Sequence, residues 1–139
     1  MARRTRTVGA EYRLVFSPTT NPHSHSPSIR VALETAQAFA AFRYALSVHE
    51  QREGTRVQYT IRGLAAPDLS LPGAGHAGFI RSYDDLWGTC EFRVQGLDGT
   101  VSSCAVRLTP GRAELITKPD TGQLVVETVE RGTSPQESP

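Results

Sequence analysis

Apolar and polar positions alternate along two stretches of this chain. Phe42, Tyr44, Leu46 and Val48 alternate with Arg43, Ala45, Ser47 and His49, and Val57, Tyr59 and Ile61 alternate with Arg56, Gln58, Thr60 and Arg62. A period of two sends successive side chains to opposite faces, which is the pattern of a half-buried strand. Between the two runs lies Gln51-Arg52-Glu53-Gly54-Thr55, whose glycine can take the positive φ of a tight turn. With Glu53-Gly54 as a two-residue loop, Val48 faces Tyr59 and Leu46 faces Ile61, so both apolar rows share one face. A hairpin over Phe42–Leu64 is therefore expected. The competing signal is an alanine-rich stretch from Glu34 to Ala45, with Phe39, Phe42 and Leu46 spaced for one helical face. It allows at most one short helix near residues 34–41.

A second hairpin, Gly88–Thr109, has a sharper signature. Cys90, Phe92 and Val94 alternate with Glu91, Arg93 and Gln95, and Cys104, Val106 and Leu108 alternate with Ser103, Ala105 and Arg107. A three-residue loop of Leu97, Asp98 and Gly99, with Gly99 left-handed, pairs Gly96 with Thr100. Phe92 then lies opposite Cys104 and Cys90 opposite Val106, all facing inward. The cysteines are diagonal neighbours in that register, too far apart for the roughly 4 Å Cβ separation of a disulfide. They read as reduced core residues.

Further strands are expected at Tyr12–Phe16, Ile29–Leu33, Ala77–Tyr83, Ala113–Thr117 and Leu124–Val129, divided by proline- and glycine-rich turns. About eight or nine short strands predict an all-β domain. An antiparallel sandwich of immunoglobulin-like type is the first expectation and a partly open barrel the second. At 139 residues the chain fits one domain, expected over residues 9–130, with a basic arm (1–8) and a tail (131–139) both expected to be disordered.

Charge adds little. The formal net charge is +1, and Arg3, Arg4 and Arg6 sit in the first six residues. With these three set aside, 12 basic side chains face 14 acidic ones, the opposite of a nucleic-acid-binding face. Nucleic-acid association would have to come from that arm, helped by Arg43, Arg56 and Arg62 on the outer face of the first hairpin. No stretch reads as a membrane span, and the apolar core of a signal peptide is missing after Met1, so the cytoplasm is the expected location.

Candidate chemistry is sparse. Gly73-Ala-Gly75-His-Ala-Gly78 has the spacing of a dinucleotide-binding glycine run, but a strand-like Phe79–Tyr83 follows where the phosphate would need a helix N-terminus. His23 and His25 lie in a proline- and serine-rich loop with no further ligands nearby, short of the three or four that zinc wants. No metal or cofactor is expected. Asp84-Asp85, with His76, Tyr83 and Trp87, is the one group that a loop-built ligand or enzyme site would use. The leading expectation is a non-enzymatic module working through protein contacts or self-association, because edge strands pair readily. The alternative is a small-ligand or enzyme site around His76 and Asp84-Asp85.

Overall fold

The computed structural model describes residues 11–39, 45–65 and 75–129. The arm (1–8), the tail (131–139) and Arg43 lie outside them. Nine strands form: β1 (Tyr12–Thr20), β2 (Pro27–Phe39), β3 (Ala45–Glu53), β4 (Arg56–Ala65), β5 (Gly75–Tyr83), β6 (Gly88–Gln95), β7 (Val101–Thr109), β8 (Arg112–Thr117) and β9 (Leu124–Thr128). Among the described residues there is no helix, hence none long and apolar enough to cross a membrane. Glu34–Phe39 continues β2 through a register shift between Glu34 and Ala38. Alanine's helix preference is a fraction of a kcal/mol per residue. It yields here to ladder bonds with β5 and to the Ala36 amide donating to the Glu11 carbonyl at 2.9 Å.

The strands bond in the order β8-β7-β6-β4-β3-β5-β2-β1-β9, but the β3–β5 step is a single bridge, Ala45 opposite Gly78. The chain is thus a sandwich of two sheets, β8-β7-β6-β4-β3 and β5-β2-β1-β9, not closed into a barrel. β8 lies beside β1 and β9 at the far side. Five pairings are antiparallel and three parallel. β4 and β6 run parallel because β5 crosses to the other sheet between them, and a parallel pair needs such a crossover. The order is not that of an immunoglobulin domain, where the fourth strand sits beside the fifth. Here β4 lies between β3 and β6.

The inner faces meet through fully buried side chains: Leu14, Phe16, Ile29, Val31 and Leu33 from one sheet, Val57, Tyr59, Phe92, Val94, Val106 and Leu108 from the other. Phe16 and Phe92 touch edge to face across the gap, centroids 4.9 Å apart and planes at 76°. The second hairpin forms in the expected register. Phe92 pairs with Cys104, Cys90 with Val106, and the Gly96 amide donates to the Thr100 carbonyl at 3.0 Å across a turn whose Gly99 has φ +87°. Both cysteines are buried and free.

The first hairpin forms too, with its turn moved. The loop is Gly54-Thr55, closed by Glu53 opposite Arg56, so Val48 faces Ile61 and Glu50 faces Tyr59. A bulge between Ser47 and Val48 then sets Leu46 opposite Leu64. The inward face keeps its members, but a carboxylate, Glu50, joins them.

Candidate functional site

At the corner where β3 and β5 meet, that displaced register collects polar side chains between the sheets. The Tyr59 and Tyr83 hydroxyls are 2.7 Å apart, and the Tyr83 hydroxyl donates to Glu50 Oε2. A hydroxyl has one proton, so Tyr59 donates to Tyr83 and Tyr83 to the carboxylate. Arg81 Nε donates to Glu50 Oε1 at 2.6 Å. Tyr59 and Glu50 come from the five-stranded sheet, Tyr83 and Arg81 from the four-stranded one. The chain of bonds therefore clamps the two sheets where the backbone provides only one bridge. Burial holds the pKa of the Tyr59 hydroxyl far above its ordinary value, with the neighbouring Tyr83 adding to the shift. Burial raises Tyr83 likewise, and its bond to Glu50 adds to the shift. Both phenols stay protonated, as donors must.

The residues of the expected site are divided around this clamp. Tyr83 turns inward and is buried. Asp84 turns outward and accepts from Asn21 Nδ2 at 2.8 Å, while its carbonyl accepts from Trp87 Nε1 at 3.0 Å. Asp85 accepts from Arg52 Nη1 at 2.9 Å, a bond that holds its exposed carboxyl below the usual range. His76 sits opposite Ala38 in β5, with its side chain outside the described part. Arg52 joins two of the expected residues, since its guanidinium also lies 5.6 Å from the centre of the Tyr83 ring. Glu50, Arg52, Tyr59 and Arg81 are the members that the strand pattern alone leaves out. One signal marks two of them: Glu50 and Arg52 share the parity of Leu46 and Val48.

The other candidates sit apart. His23 and His25 are exposed in the β1–β2 turn, where Asn21 Oδ1 accepts from the His23 and Ser24 amides. Gly75 and Gly78 belong to β5, and Gly73 lies outside the described residues. Arg56 and Arg62 are exposed, Arg56 lying 3.5 Å from Glu91. Among the described residues no three His, Cys, Asp or Glu side chains are grouped to hold a metal ion.

The two long sides of the sandwich differ in their inward-facing rows. The β3–β5 side carries Glu50, Arg52 and Arg81 on its inward-facing rows. Inward charges of this sort oppose strand addition at an edge. Both sides expose apolar side chains on their outer faces, Ile80 at 52% on β5 and Ile116 at 48%, Val125 at 40% and Val129 at 47% on the β8–β9 side, which differs in its inward rows. Its inward rows are apolar, with Ala113, Leu115, Leu124 and Val126.

Burial also sets an alkaline limit on stability. The Cys104 thiol is pushed up to about 12 by burial, then by Asp120 and Glu91, and Cys90 is raised by burial. In the unfolded chain thiols lose their protons near pH 8.5 and phenols near pH 10, so roughly above those values the unfolded state holds fewer protons than the native one. Stability must then fall as pH rises. The urea midpoint is expected to decline from about pH 8.5 onward and more steeply above about pH 10. Cys104→Ala should flatten the first part of that decline and leave the second. Superimposable profiles for wild type and Cys104→Ala would contradict the burial of this thiol.

No protein-family model, curated protein or solved structure matches this chain.

Proposed function

We propose that this chain is a non-enzymatic binding or assembly module that meets protein partners, a second copy of itself among them, along the β8–β9 side. The contrast between the two long sides carries this reading. One side is guarded by Glu50, Arg52 and Arg81. The other offers two edge strands beside Ile116, Val125 and Val129. Unpaired edges flanked by apolar side chains are templates for an added strand. The polar groups best suited to chemistry, Tyr59, Tyr83 and Glu50, are spent on one another between the sheets, which favours a contact role over catalysis. Two buried, unpaired thiols suit a reducing compartment, and the cytoplasm is the location we propose.

The test is a pair of edge charges, Ile116→Lys and Val125→Lys. Surface changes of this kind alter stability by about 0.5 kcal/mol or less, so folding is retained. The wild-type chain is expected to self-associate in sedimentation velocity, or to retain a partner from native extract, and both variants to lose that association. A wild type that stays monomeric at every concentration, with captures identical for wild type and variants, rejects the reading.

A further inference from the structure

On the outer face of the five-stranded sheet, one cross-strand row runs Arg56, Glu91, Ala105, Thr117. Beside it opens a groove of about 480 Å³, within the size range of small-molecule sites. Ser103 and Ala105 make a low floor between longer side chains. The far wall is the segment after β8, and it is fixed in place. The Asp120 amide donates to the Ser103 carbonyl at 3.2 Å, and the Ser103 amide donates to Asp120 Oδ1 at 2.8 Å. Lys118, the one lysine of the chain, stands on this anchored wall.

The inventory of hydrogen-bonding groups is unbalanced. Glu91 is already covered on both oxygens, Oε1 by Arg56 at 3.5 Å and Oε2 by Arg93 at 3.0 Å. One Asp120 oxygen is taken by the Ser103 amide. Among the described residues, Lys118 makes no ion pair, and the guanidinium of Arg56 has its terminal nitrogens unspent. Thr55, Thr89, Ser103 and Thr117 also line the groove, and their hydroxyls make no hydrogen bond to the other described residues. Hydroxyls can donate or accept, so the charged groups decide: the Lys118 ammonium and the terminal nitrogens of Arg56 are free to donate, while Asp120 Oδ2 is the one carboxylate oxygen of the lining that no described residue covers, and such a set can accommodate an acceptor-rich, negatively charged ligand.

We propose that this groove binds a small molecule bearing a phosphate or carboxylate group, with Lys118 and Arg56 holding the charge from opposite walls. The groove borders the β8–β9 contact side through Thr117 of β8, but its charged groups are other residues and the inference does not depend on that contact.

Amide NMR titrations of the full chain with inorganic phosphate, and separately with citrate, at ionic strength matched by chloride, test the proposal. Saturating shifts are expected at Ser103, Ala105, Thr117 and Lys118. Lys118→Ala and Arg56→Ala should each weaken binding about tenfold or more, the effect of losing one charge-assisted contact. Ala105→Leu, which raises the floor without touching a charge, should abolish it. Arg112→Ala, exposed on β8 outside the groove, should leave it unchanged. Saturation by phosphate alone or by citrate alone identifies which group the site takes. Non-saturating drift with both, equal in wild type and Lys118→Ala, overturns the proposal.

Discussion

Replacing Phe92 by alanine is expected to cost about 3–5 kcal/mol, the range for deleting a fully buried phenylalanine. Phe92 is wholly buried in β6. It is the ring on which the sheets converge, edge-on to Phe16 of β1 and 6.1 Å from Tyr59 of β4. Its removal opens a cavity between two layers that touch chiefly through such side chains, and neither backbone ladder can shift to fill it. Domains of this size are stable by about 5–15 kcal/mol, so the variant forfeits a large share of the total. Leu97→Ala, at the exposed tip of the second hairpin, is the comparison and should stay within about 0.5 kcal/mol of wild type. Urea unfolding measures both. Equal effects would mean that Phe92 does not sit between two packed sheets.

The second large effect is expected at the corner clamp. Tyr83→Phe removes the hydroxyl that links Tyr59 to Glu50, leaving a fully buried phenol and a carboxylate oxygen without their partner. An orphaned buried polar group costs about 1–3 kcal/mol. Tyr59→Phe alone should cost less, because Tyr83 retains Glu50 as its acceptor. The double variant Tyr59→Phe/Tyr83→Phe should cost less than the sum of the two, by about 0.5 kcal/mol or more, since the second change removes a group already orphaned by the first. Additive losses would show that the two hydroxyls do not act as one chain of bonds.

How far the strand pattern reaches is visible in the two hairpins. Gly96-Leu97-Asp98-Gly99-Thr100 fixes both loop length and the left-handed position, so the second register is legible residue by residue. In the first hairpin, alternation fixes only parity. A turn at Gly54-Thr55 instead of Glu53-Gly54 moves each partner of Val48 to Glu53 by two and leaves those side chains on their own faces, and the bulge at Ser47 moves the remaining partners by one more. Such a slide cannot be seen in the pattern of apolar residues. Yet it sets Glu50 opposite Tyr59 and so builds the clamp. Tyr83 and Asp85 are legible as members of one group with His76, Asp84 and Trp87, but the residue that connects the two, Arg52, comes from β3, far away in the sequence. The parallel contacts of β4 with β6 and of β1 with β9 are non-local in the same sense. No local turn chemistry announces them.

The asymmetry of edges follows from the same register. Glu50 and Arg52 fall on the inward row of β3, where charges oppose an added strand, whereas the inward rows of the β8–β9 side are apolar. A photoreactive side chain placed at Val125 in one preparation and at Gln51 in another tests this most directly. The account predicts covalent adducts, with a partner or a second copy, from Val125 and none from Gln51. Adducts from Gln51 with none from Val125 would contradict it.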